Sequence, residues 1–532
     1  MTTAVAGATE RRAAPALLAL RRVPAAVVWS VVALVAFALH LQGRQRGLLY
    51  PDGYDYLLMA RGIAGHLTPA LALGHGGELW VPSVDASLKP LFPALVALIS
   101  AVAPIRAGAD LLTAAAAAAT VVLAGVLAGR LTGSRRAAAL SAAAALASPA
   151  LAYWSGFAGP DPLAEALALA TALALVERRA LLAGVLGGLC AATRPEWFVV
   201  VAAAGLTGLL WSSTREAARR ALTSGAFTLA IIVAVLRPPL ALPSGGPLLL
   251  LAAIAGAVLC DVAAVWASGT RRRATIAAAS ALAALAVVAL SGRVPALGAL
   301  VRGGDWPLLL LGSAGILRAC ASGRGRPALL ILATVLLLGA IYVYRNAGLE
   351  RYLAQLIPAV CVAAGFLVAP GPRSRAQGTA ETGARRWDPP IAWVAAATVA
   401  TVATALVVAA ISPRPQLAGD TFASLAGRLA AAPPGTLLSA APDAYGFLLP
   451  GRAERTLRPG ERGLILLDAA QRAYAPGLGA AGVIVARFSP PDGFERPDGT
   501  LDMGPATLVR GVVTATPGVS AAGGGGRDST NG

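Results

Sequence analysis

Long apolar runs separated by short basic loops dominate the first 411 residues of the chain. The first run extends from Val23 to Leu41, follows four arginines and is long enough to cross a bilayer as a helix. A polar loop from Gln42 to Ser87 comes next. The following run, Leu88 to Ala103, is short and contains two prolines, so we expect it to be re-entrant or interfacial.

On this interpretation the pattern predicts 13 membrane spans, the first at 23–41. The later predicted spans are 110–129, 137–154, 161–176, 181–193, 196–211, 221–236, 247–267, 274–290, 306–318, 327–344, 352–369 and 391–411. The arginine clusters at 135–136, 271–273 and 373–386 then share one side of the membrane with the N-terminal segment 1–22. Positive loops are typically cytoplasmic, which places the N-terminus inside the cell. If Leu88 to Ala103 crossed instead, all three clusters would face outward.

The pattern becomes that of a soluble domain from Ser412 onward. Asp420 to Ala431 is predicted to be a helix, and three short apolar runs between Pro/Gly-rich turns are typical of strands, at 436–440, 464–467 and 483–488. We therefore expect a small extracytoplasmic α/β domain over 412–518. The glycine-rich end, 519–532, lacks apolar residues to bury and is predicted to be disordered.

The predicted fold class is an all-α polytopic membrane protein with a small C-terminal α/β domain. In this division the membrane domain covers 23–411 and includes 42–87 as its first external loop. A composition of 57% hydrophobic and 13% charged residues agrees with that class. The net charge of +18 arises mainly from arginines between the apolar runs, so it indicates membrane topology and not nucleic-acid binding.

The cysteines and histidines do not predict a metal centre. Four cysteines lie in or beside predicted spans without paired spacing, and the three histidines, His40, His66 and His75, lack metal-ligand spacing. No nucleotide-binding glycine loop or zinc motif occurs in the sequence. No cofactor is therefore predicted, and a divalent metal would have to be held by carboxylates.

Two acidic residues, Asp52 and Asp55, follow the first span and lie three residues apart. If Tyr54 to Ile63 is helical, both carboxylates lie near its N-terminal end on neighbouring faces. Such residues can simply solvate an external loop. They can also act as a general base at the membrane surface.

The spacing of Asp52, Tyr56 and Ala60 after a first span resembles the first external loop of GT-C fold glycosyltransferases. The similarity is greatest to the glycosyltransferase 39-like family of protein O-mannosyltransferases and aminoarabinose transferases. Gly53 stands where that family has the second acid of an Asp-Glu pair, so Asp52 and Asp55 both remain candidate catalytic bases. Lys89 with Pro90 resembles a basic, proline-containing segment of the family, which implies that Lys89 binds the donor phosphate. The proline could otherwise only start an interfacial helix.

Three further segments resemble the family's later external turns, at 148–165, 193–196 and 350–358. The resemblance implies that Arg351 binds the donor phosphate. It also implies a substrate-binding role for Tyr56, Asp161, Glu165, Arg194 and Glu196. Each has a purely structural alternative, because Asp161 could cap a helix and Arg194 could form an ion pair with Glu196. Two carboxylates at i and i+4 do not by themselves establish a metal site.

The resemblance implies an inverting transfer of a sugar from a polyprenyl-phosphate donor to a hydroxyl group on the extracytoplasmic face. The acceptor would be a glycan, a lipid or a protein. A transporter or lipid flippase is the main alternative, and an assembly protein without activity is another. Transporters carry charged or broken helices at mid-membrane. Here the polar motifs lie at predicted external helix ends, which favours the transferase.

Overall fold

The computed structural model describes the parts of the chain in which helices, strands and their connections are placed. These parts are 25–44, 52–66, 71–73, 78–80, 89–197, 215–236, 300, 304–322, 331, 334–335, 350–369, 421–449, 452, 454–488, 494–495, 501–502 and 506–515. The chain divides into two compact units. The first unit is Met1–Arg44 with Val84–Pro415, and the second is Gln45–Ser83 with Gln416–Gly532.

The described part of the first unit is helical. Its helices are Ala25–Gln42, Leu91–Ile99, Ile105–Thr132, Arg135–Ala147, Pro149–Trp154, Asp161–Val176, Ala180–Thr193, Arg215–Leu236, Trp306–Ala321, Glu350–Ala354 and Ile357–Ala364, followed by a 3-10 turn Gly365–Val368. Within the described residues, four helical segments are long and apolar enough to cross a membrane: Ala25–Gln42, Ile105–Thr132, Glu216–Leu236 and Arg351–Val368. Alanine and leucine, which dominate these segments, are the strongest helix formers.

Several predicted spans are helices at the expected positions. The segment 161–176 has the predicted bounds, and 181–193 differs by one residue at its start. The predicted spans 196–211, 247–267, 274–290, 327–344 and 391–411 lie wholly or mostly outside the described residues. The short run after the first loop forms the nine-residue helix Leu91–Ile99. At 1.5 Å per residue it is about 14 Å long, too short to cross a bilayer on its own.

Two predicted spans are interrupted. The single span expected at 137–154 is two helices that meet at Ser148, whose hydroxyl accepts a hydrogen bond from the Leu151 amide at 3.2 Å. Proline at position 149 disfavours helical geometry at the residue before it, so the first helix ends and the second begins with Pro149. The expected span 352–369 is likewise divided, between Ala354 and Ile357.

Small residues allow the helices of the first unit to pack closely. A side chain at Gly125 would place its Cβ 2.7 Å from the Trp29 ring of the first helix and 2.9 Å from the Cβ of Ala142. Both distances are shorter than van der Waals contact, so glycine is required where helix 105–132 meets its two neighbours. The core of this unit also includes Leu127 and Ile357.

The described part of the second unit contains a five-stranded mixed sheet. Its strands lie in the spatial order Glu454–Thr456, Leu437–Ser439, Arg462–Leu467, Ala506–Ala515 and Leu478–Phe488. The first two pairings are parallel and the last two are antiparallel. The helix Pro442–Leu448 connects two of the parallel strands, as parallel pairing requires a crossover. The remaining elements are helices Asp52–His66, Thr421–Leu429 and Ala469–Tyr474 and the paired strands Leu71–Leu73 with Glu78–Trp80 and Phe494–Glu495 with Leu501–Asp502.

The strands expected at 436–440, 464–467 and 483–488 are all present, and the helix expected at 420–431 is Thr421–Leu429. The helix Pro442–Leu448 and the strand Ala506–Ala515 had no predicted counterpart. Residues 45–83, which include most of the predicted first external loop, group with 416–532 in the second unit. The helix of this loop runs from Asp52 to His66, longer at both ends than the expected 54–63.

Candidate functional site

Two helix ends of the first unit bring Asp161 and Arg194 together. Asp161 is the first residue of helix 161–176, and Arg194 directly follows helix 180–193, where Pro195 prevents its continuation. The Arg194 side chain is 0% exposed. Its Nε donates a hydrogen bond to Asp161 Oδ1 at 2.6 Å, and a second guanidinium nitrogen donates to the same oxygen. A buried guanidinium in such a position is stable only when paired.

Arg351 is the second cation at this carboxylate. Its Nε lies 3.8 Å from Asp161 Oδ2, and its side chain is 11% exposed. The ring of Tyr352 lies beside both cations, with its centroid 5.0 Å from the guanidinium carbon of Arg194 and 5.1 Å from that of Arg351. Three segments distant in sequence thus meet around one aspartate and one aromatic ring.

Two further carboxylates belong to the same part of the first unit. Glu196 Oε1 lies 3.9 Å from an Arg194 nitrogen, so the predicted Arg-Pro-Glu segment contains a loose ion pair. Glu165 is buried one helical turn beyond Asp161. The name "charged cluster" is used below for Asp161, Glu165, Arg194, Glu196 and Arg351.

The cluster holds two guanidinium groups in fixed positions against carboxylates. Asp161 contacts both guanidinium groups, and each arginine carries five N–H donors in a fixed planar arrangement. Guanidinium groups bind phosphate through paired N–H donors. The arrangement is therefore chemically suited to an anionic ligand.

Lys89, the other predicted phosphate ligand, is buried immediately before helix 91–99. Lys89 therefore lies at a helix start in the first unit. The ion pairs of the charged cluster are formed by Asp161, Arg194, Glu196 and Arg351.

The candidate bases belong to the second unit. Asp52 is the first residue of helix 52–66, and Asp55 lies in its first turn with 5% of its surface exposed. Tyr56 is buried beside it. Asp55 is thus a buried helical residue of the second unit.

One residue of the same helix, Arg61, has contacts that sequence reasoning missed. Its Nη2 donates a hydrogen bond to the Phe447 carbonyl at 2.9 Å, and its guanidinium carbon lies 4.2 Å from the centroid of the Phe447 ring. Burial lowers the pKa of Arg61 from its ordinary value. No local sequence signal could have found this partner, because the two residues are 386 positions apart.

Asp305 is another residue whose role the sequence did not reveal. Its carboxylate accepts hydrogen bonds from the Ser148 hydroxyl at 2.6 Å and from the Ala150 amide at 3.1 Å. These contacts stabilise the start of helix 149–154, where the predicted span is interrupted. Asp305 precedes the Trp306-Pro start of a helix, which is a local signal for a capping residue. Nothing in the local sequence indicates that it instead contacts the start of helix 149–154.

The second unit also buries three acidic residues in and near helix 442–448, namely Asp443, Glu454 and Asp468. Burial, and next the neighbouring Asp443 carboxylate, raise the pKa of Glu454 to about 9. Within the described residues neither oxygen of Glu454 has a hydrogen-bond partner. Tyr445 of the helix donates a hydrogen bond to Asp468 at 2.8 Å. In the described part of the chain these and other His, Cys, Asp and Glu residues form no group of three suited to holding a metal ion.

The first unit is therefore a bundle of apolar helices with a buried charged cluster at helix ends. No family model and no curated protein sequence matches the chain. A crystal structure of ArnT from Cupriavidus metallidurans in the apo state is similar with a TM-score of 0.48 and 15% identity, over 91% of this chain and 97% of that one. A crystal structure of ArnT bound to undecaprenyl phosphate is similar with a TM-score of 0.47 and 16% identity over the same shares.

ArnT is an aminoarabinose transferase, so these similar structures belong to the family that the sequence motifs resemble. At these TM-scores and identities the similarity assigns neither a fold nor an activity to this chain.

Proposed function

We propose that the chain is an inverting glycosyltransferase. It moves a sugar from a polyprenyl-phosphate donor to a hydroxyl acceptor on the extracytoplasmic face of the membrane. The observation that carries this proposal is the shared pairing of Arg194 and Arg351 with Asp161, at helix ends that the arginine distribution predicts to be external. A transferase with a lipid-phosphate donor needs fixed positive charge at that level of the membrane.

Arg351 and Lys89 are proposed to bind the donor phosphate. As the bond between the anomeric carbon and the phosphate oxygen breaks, negative charge increases on the departing lipid phosphate. Donors already aimed at that charge stabilise the transition state without having to reorient. In this proposal Asp161 does not bind the sugar. It holds the Arg351 guanidinium in place, and Arg194 with Glu196 completes the support.

Asp52 or Asp55 is proposed as the general base. The acceptor hydroxyl gives its proton to the carboxylate while its oxygen attacks the anomeric carbon, and the polyprenyl phosphate leaves from the opposite side. One base and one displacement give inversion. We favour Asp52 over Asp55 because it stands at the start of the helix, and Tyr56 is proposed to contribute to the substrate site.

The test uses the full-length protein in sealed proteoliposomes with radiolabelled polyprenyl-phosphate sugars, presenting mannose or aminopentose donors in turn with glycan, lipid and protein acceptors. Loss of label from the lipid and its appearance on an acceptor is the expected result. An Asp52→Asn, Asp55→Asn double variant is the matched control. Movement of intact labelled lipid between leaflets, without cleavage in either protein, would favour the flippase alternative and contradict the proposal.

A further inference from the structure

Arg61 is a half-buried residue in a helix whose described side chains from Tyr54 to Ala60 are all buried. Leu57, Leu58 and Met59 of helix 52–66 are at most 1% exposed. A guanidinium in such surroundings is costly unless its donors find acceptors, because a buried charge loses its hydration. Among the described residues, the acceptors of Arg61 both lie at one helix end of the second unit.

That place is the C-terminal end of helix 442–448. The last four carbonyl groups of a helix have no partner within it, and a cation near them is favoured by the helix dipole. Arg61 donates to two of the four, the Phe447 oxygen at 2.9 Å and the Gly446 oxygen at 3.5 Å. The Phe447 ring below the guanidinium adds a cation–π contact.

Tyr54 supplies a second contact on the same face of helix 52–66. It lies seven residues before Arg61, which is two helical turns. The Tyr54 ring packs edge-on against Phe422 with centroids 5.6 Å apart, and its centroid is 6.1 Å from that of Phe447. Contacts at two points along one face fix both the position of a helix and its rotation about its axis.

The rotation determines where the acidic side chains are presented. Successive residues of a helix differ by about 100° in direction, so holding Tyr54 and Arg61 also sets the directions of Asp55 and of the helix start at Asp52. A shift of about 1 Å in a catalytic group can cost about 100-fold in rate.

We infer that Arg61 is a positioning residue for the transfer reaction, which anchors the base-bearing helix 52–66 to helix 442–448 of the C-terminal segment. The inference rests on the proposed function, in which Asp52 or Asp55 is the base. Through the contact of Arg61 with helix 442–448, the C-terminal segment would then influence the chemical step.

The experiment compares Arg61→Met, which keeps the apolar stem and removes all N–H donors, with Arg61→Lys, which keeps a charge over the Phe447 ring. Arg458→Met, at an exposed arginine of the same unit, is the matched control. Arg61→Met should lower kcat roughly 10- to 100-fold and leave the KM for the lipid donor within about twofold. Arg61→Lys should recover part of the loss, and Arg458→Met should match the wild type.

Hydrogen exchange gives a readout that does not need turnover. Arg61→Met should increase amide exchange in 52–66 and around 446–449 while the strands 462–467 and 506–515 keep their protection. Wild-type kcat and wild-type exchange in Arg61→Met would overturn the inference. A higher donor KM with unchanged kcat would also overturn it, since Arg61 would then act on the donor.

A Phe447→Leu variant covers the case in which Arg61→Met fails to fold. It removes the ring and leaves both carbonyl acceptors, so a smaller kcat loss and faster exchange confined to helix 52–66 are expected. Unchanged kcat and exchange in both Phe447→Leu and Arg61→Lys would then contradict anchoring. If the wild-type protein transfers no sugar, the proposed function fails, and the exchange data alone decide whether Arg61 anchors the helix.

Discussion

Asp161 accepts two hydrogen bonds from Arg194 and lies 3.8 Å from the Nε of Arg351, so one carboxylate joins two arginines that are far apart in sequence. Arg194 is fully buried, whereas Arg351 retains some exposure. The two cations are therefore not equivalent. We therefore expect Arg194 to act mainly on stability, and Arg351 to be the more accessible of the two to a ligand.

Removing the shared carboxylate should destabilise the first unit strongly. Asp161→Asn removes the carboxylate that accepts two hydrogen bonds from the buried Arg194 guanidinium, and breaking a buried ion pair typically costs about 3–5 kcal/mol. Thermal unfolding in detergent measures the effect. Glu216→Gln is the control, because its pairs with Arg219 and Arg220 are exposed and should contribute less than about 1 kcal/mol. Equal effects of the two substitutions would mean that Asp161 is not a structural centre.

Arg351 should matter for donor binding more than for folding. We expect Arg351→Ala to weaken binding of undecaprenyl phosphate roughly 10- to 100-fold, because the variant loses a hydrogen bond from a charged donor to the phosphate. Lys89→Ala should act in the same direction, since both cations are proposed to contact the phosphate. Isothermal titration in nanodiscs provides the measurement, with the exposed Arg220→Ala as control. Wild-type affinity in both Arg351→Ala and Lys89→Ala would remove them from the phosphate site.

The two aspartates should differ in their effect on turnover. Asp52→Asn should abolish transfer and leave expression and donor binding nearly intact, because it removes the base and keeps the side-chain shape. Asp55→Asn should retain measurable transfer. The reverse result would assign the base to Asp55, and near-normal transfer in both variants would exclude this mechanism.

The stability of the second unit should depend on the protonation of Glu454. Its pKa is raised from 4.5 to about 9, so the folded protein keeps a proton that the unfolded chain loses above about pH 4.5. Folding stability should therefore decrease as the pH rises from about 4.5 to about 9, with little further change above that range. Glu454→Gln, which cannot lose a proton, should flatten this dependence.

The pH dependence of folding stability can be measured by intrinsic tyrosine and tryptophan fluorescence during thermal unfolding at pH 5, 7 and 9. The variant should have a higher Tm than the wild type at pH 9 and a smaller advantage at pH 5, because the stability lost by the wild type increases between about pH 4.5 and about pH 9. An equally steep pH dependence in both proteins would assign the effect to another group.

Local pattern in the sequence predicted most element positions that the structure describes. Apolar runs of helical length gave the segments 161–176 and 180–193, and alternating short runs gave the strands around 437, 464 and 484. The break at Ser148 also has a local cause, because Pro149 disfavours helical geometry at the residue before it. The mean hydropathy of 137–154 does not show this break. The chemical types of the site residues were also readable, since charged residues beside proline at the ends of apolar runs stand out.

Tertiary structure alone decided which of those residues meet. Arg194 pairs with Asp161 across 33 positions, and Arg61 contacts Gly446 across 385. Neither partner is marked by periodicity or spacing, because ion pairs and helix-end contacts depend on how distant segments pack. The sequence by itself determined an apolar helical chain with acidic and basic residues at helix ends. The packing determined that Asp161 holds two arginines and that the helix bearing Asp52 and Asp55 belongs with the C-terminal segment, because burial forces each charged group to a partner that only the folded chain brings near.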